Sequence, residues 1–395
     1  MGLNYFINPV SLGGSSFPSP APLGTLFDVD FTTLNNLTDF TQVKPNTTIS
    51  LTGGYLRAVQ SPGTGTFLNY ITYDSYGSSI LEKWSIESII IPRTLVVDSY
   101  GVSLGMKSTQ TNRPVNDFSG FMQMNSGAGN GTVNIYNQNT TVLSTSGTLT
   151  FSVGDRIKIT FTRNANVLTF TAQNLTNPNT ITTSYTIAVA YGSPYFTPII
   201  GKPTMWFHGG TQDVEYFKYS STAMKNANAT YWGDSITSEY GVPTVGDRYA
   251  DKIGSTKTYN VCGSPSALSA DLILCQNEIT LLNSRYNVFC IGVNDQAVGT
   301  PVATSKANLQ SLLASTPNTK ILNYLIPFTT NNPATWNAMI DTIKQNTVVD
   351  LTTVLGTGTP KLPNATYYNA DLIHPNAAGA IQIANEYALK YPELR

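Results

Sequence analysis

Polar and apolar positions follow two different rhythms along this chain. From Thr25 to about Thr222, apolar residues alternate with polar ones in short runs such as 26–32, 85–91, 96–106, 156–162 and 167–172. Within the run 156–162, Ile157, Ile159 and Phe161 alternate with Lys158, Thr160 and Thr162, the period of two that marks a half-buried strand. Turn clusters at 126–131 and 163–166 separate the runs, rich in Gly, Ala, Asn and Ser. No stretch here has a helical period, so the segment predicts an antiparallel β-sandwich.

At Asn226 the rhythm changes. Strand-like runs at 229–233, 258–261, 287–291, 320–326 and 347–351 alternate with helical stretches at 247–253, 267–283, 302–314 and 335–345, and a last helix is predicted at 376–390. Strands alternating with helices predict a parallel sheet covered on both faces, an α/β three-layer sandwich. Functional groups in such sheets gather beyond the carboxyl ends of the strands. A length of 395 residues accommodates two cores. The expected organisation is multidomain: a Pro-, Gly- and Ser-rich arm or linker at 1–24, a sandwich at 25–222 and an α/β domain at 226–395.

Composition narrows the partners. Charged residues make up 11% of the chain and the formal net charge is −1, against about 25% charged residues in an ordinary soluble protein. No basic run is present to follow phosphates, which argues against nucleic acid. No run of about 20 apolar residues is present to span a membrane. The first 24 residues lack the basic and apolar regions of a secretory signal. A neutral surface rich in Ser, Thr, Asn and Tyr suits a neutral polar ligand, with carbohydrate the obvious class. The odd count of cysteines, Cys262, Cys275 and Cys290, argues against a disulfide framework and for buried small apolar side chains. Cysteines and histidines lack zinc spacing, so no metal site is expected.

Four short motifs fall at predicted strand ends in the second half. They are Tyr-Trp-Gly-Asp-Ser-Ile-Thr at 231–237, Cys-Gly-Ser at 262–264, Ile-Gly-Val-Asn-Asp at 291–295 and Asp-Leu-Ile-His-Pro at 371–375. An ester hydrolase needs a nucleophile, a base to take its proton and a third group to orient the base. Ser235 follows a strand and Gly233, which can expose its hydroxyl. The chain has two histidines, His208 and His374, and only His374 lies in this half. Asp371, three residues earlier, can reach one imidazole nitrogen while the other faces Ser235. Asp234 and Asp295 read as turn residues, because the triad already has its acid.

Taken in order, these motifs resemble the SGNH, or GDSL, hydrolases. The resemblance implies a flavodoxin-like parallel sheet, Ser235, His374 and Asp371 as the catalytic triad, and no cofactor. It also implies an oxyanion hole made by the Ser235 backbone N–H, the Gly263 backbone N–H and the Asn294 side-chain amide. A histidine base implies activity that falls below about pH 6–6.5. The first half resembles concanavalin-like or laminin-G-like jelly rolls, opening at Phe27–Phe31 and closing at 214–219. Relatives of that kind often carry a structural Ca²⁺, which leaves a calcium in the sandwich open.

A competing pattern lies in the first half. Gly-Val-Ser-Leu-Gly at 101–105 matches the nucleophile elbow of another hydrolase class, with Asp117 and His208 following in order. An elbow requires a strand turning into a helix, and 106–114 does not read as helical, so Ser103 is expected on a sandwich strand. For substrate, the lectin-like first half and the polar surface favour O-acetyl groups on a polysaccharide. Tyr240, Phe328, Trp336 and Tyr367 follow strand ends and are candidates for a sugar-stacking wall, with core packing as the alternative. The expected setting is extracellular or virion-borne, as on a phage tail. The alternative function is a virion tail or cell-surface glycan-binding protein in which esterase activity is secondary or lost.

Overall fold

The computed structural model describes residues 17–395, except 46, 61–68, 95–99, 111–117, 126–128, 138–140, 189, 192–199, 239 and 330–332. Two antiparallel sheets occupy the first half. Among the described residues one has eight strands, of which Ala21–Asp30 comes first in the chain and Gly210–Lys225 last, and the other has seven. The alternation noted in the sequence is realised in Ile157–Asn164, where every second side chain is buried. The sheets approach closely: a Cβ on Gly120 of one would lie 2.3 Å from the Phe170 ring of the other. A side chain at position 120 would therefore push the two layers apart.

The first strand begins at Ala21, inside the segment expected to be an arm. Pro22 and Gly24 are tolerated because this strand pairs only with Gly210–Lys225, and its register shifts at both Pro22/Gly24 and Thr25/Phe27. A proline lacking its N–H fits such an edge position. Residues 1–16 of the expected arm lie outside the described residues, as do 126–128 of the expected turn at 126–131.

Among the described residues, the second half is built on five parallel strands: Ala229–Gly233, Tyr259–Gly263, Tyr286–Cys290, Thr319–Tyr324 and Val349–Asp350. Numbered by sequence, their spatial order is 2-1-3-4-5, the flavodoxin-like order expected for a doubly wound sheet. The first and third strands are buried at every position, as strands covered on both faces must be. One helix group includes Tyr249–Lys252 and Ala377–Lys390, whose Tyr249 and Tyr387 rings stack at 5.6 Å. The other includes Ser269–Ile273, Gln276–Leu282 and Val302–Ser315.

In the second half, local structure departs from the expected elements at several places. The helix expected at 267–283 is two helices, interrupted at Leu274 and Cys275. Short helices at Val293–Ala297 and Leu351–Leu355 stand where loops were expected. Each is about one turn long, too short for a periodic pattern to show. Cys262, Cys275 and Cys290 are buried free thiols.

The two halves are joined by buried polar contacts rather than by a linker alone. Asn260 clamps the end of the sandwich, accepting from the Met224 N–H at 2.8 Å and donating to the Met224 carbonyl at 2.9 Å. Arg248 meets Glu82 at 2.7 Å. Glu278, fully buried, accepts from the Tyr76 hydroxyl at 2.7 Å and the Ile80 N–H at 2.9 Å. Burial pushes the Glu278 carboxyl up to about 7, against the lowering effect of those donors.

Candidate active site

Spatial order 2-1-3 places the ends of the first and third strands at the point where the sheet's winding reverses, and this is where a crevice opens in such folds. Ser235 lies in the turn that leaves the first strand. Tight packing explains the glycines around it. A Cβ on Gly233 would lie 2.2 Å from both the Cys290 carbonyl and the Thr237 hydroxyl. The turn is closed by the N–H groups of Thr237 and Ser238, which donate to the Asp234 carbonyl at 3.2 and 3.0 Å.

His374 arrives from the far end of the chain, just before the final helix. Its Nε2 is 2.9 Å from Ser235 Oγ, and its Nδ1 is 2.6 Å from Asp371 Oδ2. The other Asp371 oxygen accepts from the N–H groups of Ile373 and His374 at 3.0 and 3.1 Å. Burial opposes charge on Asp371, but the His374 hydrogen bond and these backbone donors outweigh it and hold the carboxyl below the usual range. Leu372 adopts φ +53°, the left-handed conformation that turns the loop back on itself. Asn369 straps the loop down: its Nδ2 donates to the Gly241 carbonyl at 2.9 Å and to the His374 carbonyl at 3.1 Å. No sequence signal marked Asn369, because its role depends on a carbonyl more than a hundred residues away.

Gly263 ends the second strand, in register with Gly233 of the first. A Cβ there would lie 2.4 Å from the Ser238 nitrogen, so only glycine lets this strand end meet the turn that holds Ser235. Asn294 lies in the first turn of the short helix after the third strand. Its Nδ2 donates to the Ala267 carbonyl at 3.1 Å, which uses one of the two amide hydrogens. The preceding Gly292 has φ +127°, and a Cβ there would overlap the Trp336 ring at 2.2 Å.

Asp234 and Asp295 serve the scaffold. Asp234 Oδ1 accepts from the Ile236 N–H at 2.9 Å. Burial, with Asp295 nearby, pushes its carboxyl up to about 7. Asp295 receives the N–H and hydroxyl of Ser269 at 2.9 and 2.6 Å.

Of the four aromatic residues expected to form a wall, the structure puts one against the histidine. Tyr240 meets the His374 ring edge-on, with centroids 4.6 Å apart. Phe328 and Trp336 are core residues, 2% and 1% exposed, so the wall reading is corrected for both. Trp336 fills the space that Gly292 leaves open, an attraction invisible in a linear pattern. Tyr367 is half-buried and packs against the core. An aromatic residue that the sequence did not flag, Tyr191 of the first half, lies 6.5 Å from Tyr240. A cleft of about 410 Å³ opens beside the His374 loop, lined by Tyr191, Gly241, Pro243 and Asn369 among others.

The competing pair in the sandwich does meet: Ser103 Oγ is 3.0 Å from His208 Nε2. Yet both side chains are buried, on neighbouring antiparallel strands with no elbow. Burial pushes the His208 imidazole down to about 3. Asp117, the third residue of that pattern, lies outside the described residues. Among the described residues, no group of three or more His, Cys, Asp or Glu side chains is arranged to hold a metal ion. No helix among them is long and apolar enough to cross a membrane.

Residues 231–380 match the model of the GDSL-like lipase/acylhydrolase family. The matched span of this GDSL-like domain runs from the first parallel strand into the final helix and contains Ser235, Gly263, Asn294, Asp371 and His374. The match supports a carboxylic ester hydrolase. No curated protein sequence matches the chain. Among solved structures, the chain is similar to the CBM2 module of the evolved Dit of Lactobacillus casei BL23 phage J-1, at 11% identity and TM-score 0.35, over 50% of this chain and 94% of that one. It is also similar to lectin I-B4 from Griffonia simplicifolia, at 11% identity and TM-score 0.37, over 49% of this chain and 99% of that one.

Proposed function

We propose that this protein is a serine esterase that removes O-acetyl groups from a polysaccharide, with Ser235 as nucleophile, His374 as base and Asp371 as the group that orients it. The observation that carries this reading is the continuous relay from Ser235 Oγ to His374 Nε2 at 2.9 Å and from His374 Nδ1 to Asp371 at 2.6 Å. Asp371 accepts a hydrogen bond from Nδ1–H, which leaves Nε2 with a lone pair aimed at the serine.

In the reaction, His374 takes the hydroxyl proton as Ser235 Oγ bonds to the acyl carbon. The carbonyl oxygen becomes an oxyanion, met by the backbone N–H groups of Ser235 and Gly263 and by the second amide hydrogen of Asn294. Collapse breaks the bond to the sugar oxygen, which leaves with the proton from His374. Water, deprotonated by His374, then attacks the acyl-enzyme; the bond to Ser235 Oγ breaks, the serine regains its proton from His374 and acetate departs.

Two features support a glycan as the alcohol. The chain carries few charged residues. The cleft beside the His374 loop is lined by Tyr191, itself 40% exposed, whose ring lies 6.5 Å from that of Tyr240. Aromatic rings of this kind present flat apolar faces with a polar tip, which suits a sugar ring.

Acetate release from a panel of acetylated glycans, with p-nitrophenyl acetate as a general substrate, tests the reading. Wild-type protein should turn over, and Ser235→Ala should lower kcat by at least about 10⁴-fold. Turnover by the variant at the wild-type rate removes Ser235 from the mechanism, and an inert wild type leaves a binding protein.

A further inference from the structure

Two of the three oxyanion donors depend on one short loop, 264–267. Gly263 immediately precedes it, and the Ala267 carbonyl orients the Asn294 amide at 3.1 Å. The loop folds tightly: the Ser264 N–H donates to the Gly233 carbonyl at 3.0 Å, the Ala267 N–H to the Ser264 carbonyl at 3.1 Å, and Ser266 has φ +60°. These contacts leave the Ser264 hydroxyl and the Pro265 carbonyl without a partner from the loop itself. Both are satisfied from the other half of the protein. Gln110, which follows the sandwich strand Tyr100–Ser108, donates from Nε2 to the Pro265 carbonyl at 3.0 Å and accepts at Oε1 from the Ser264 hydroxyl at 3.2 Å. Gln110 and Ser264 are each 1% exposed, so water cannot replace either bond. The neighbouring Thr109 N–H donates to the Ile200 carbonyl at 3.0 Å, which ties Gln110 to the sandwich framework.

We infer that Gln110 is a positioning residue for the oxyanion-binding groups, so that the sandwich completes the esterase site. It touches neither substrate nor reacting atoms; it holds the loop that carries the Gly263 N–H and aims the Asn294 amide. The inference rests on the esterase reading above. Displacement of preorganised groups by about 1 Å can cost roughly 100-fold in rate. An interaction felt only in the transition state lowers kcat and kcat/KM together and leaves KM unchanged.

The test uses the full chain and p-nitrophenyl acetate. Gln110→Met keeps the length of the side chain and removes its polar atoms. Its kcat is expected to fall roughly 10–100-fold, with KM within about twofold of wild type. Ser264→Ala, a gentler change that leaves the bond to Pro265 in place, should show the same pattern at smaller size, and it carries the test if the methionine variant does not fold. In the double variant the losses should combine to less than their product, because both act through one contact. Wild-type turnover with an unchanged kcat in the folded variants, or a loss confined to KM, overturns the role of Gln110 and leaves the esterase reading intact. An inert wild type overturns that reading, and the inference falls with it.

Discussion

Asp371→Asn separates the role proposed for the Asp371 carboxylate from the loop that holds it. In the native protein Oδ1 accepts two backbone N–H groups, from Ile373 and His374 at 3.0 and 3.1 Å, while Oδ2 accepts from His374 Nδ1 at 2.6 Å. An asparagine must keep its oxygen toward the two N–H donors, because turning its NH₂ group there would set donor against donor. The NH₂ then faces His374 Nδ1 and forces that nitrogen to accept. The ring proton moves to Nε2, which points at Ser235 Oγ and can no longer take its proton. Holding a catalytic histidine in the wrong tautomer costs about 10⁴-fold in kcat, equivalent to about 5.4 kcal/mol of barrier. The loop itself should survive, since both backbone bonds remain. The measurement is kcat on p-nitrophenyl acetate beside a thermal melt. A folded Asp371→Asn protein within tenfold of wild type would refute the tautomer argument and the role of Asp371.

Other positions give sharp expectations. Gly263→Ala drives a Cβ to 2.4 Å from the Ser238 nitrogen and should lower kcat by roughly 100-fold through the displaced nucleophile turn, visible in the same assay. Trp336→Ala should cost about 3–5 kcal/mol of stability as a core truncation; a urea titration reads this, and a variant of wild-type stability that loses only glycan affinity would restore Trp336 to a sugar wall. Glu278 has its carboxyl raised from 4.5 to about 7, so the folded protein keeps a proton that the unfolded chain has lost. The stability from that neutral group is fully present below about pH 4.5 and is lost as pH rises through 7, a swing on the order of 3 kcal/mol. Glu278→Gln should flatten this fall in denaturation midpoints measured between pH 4.5 and 8; an unchanged slope would assign the proton elsewhere.

Much of the site was legible in the chain because its parts are local. Alternation with period two announces strands wherever one face is buried, as at Ile157, Ile159 and Phe161, and strand–helix alternation implies a parallel sheet. A histidine and an aspartate three residues apart can meet through a single turn, and Asp371 and His374 do. Ser235 and His374 had to be joined by inference from motif order, and the fold supplies the reason: one follows the first strand, the other precedes the last helix. The sequence left open which way a side chain faces and which distant group it meets. Phe328 and Trp336 sit at the same kind of sequence position as Tyr240, yet only Tyr240 reaches the histidine. Ser103 and His208 form a close pair whose burial, not its spacing, removes it from chemistry. Gln110, Asn369 and Tyr191 carry no motif at all, because the partners Ser264 and Pro265, Gly241 and Tyr240 lie 49 to 155 residues away and become neighbours only when the chain has folded. Local backbone geometry and periodic burial are encoded within a few residues; long-range hydrogen bonds and exposure exist only once the whole chain has closed.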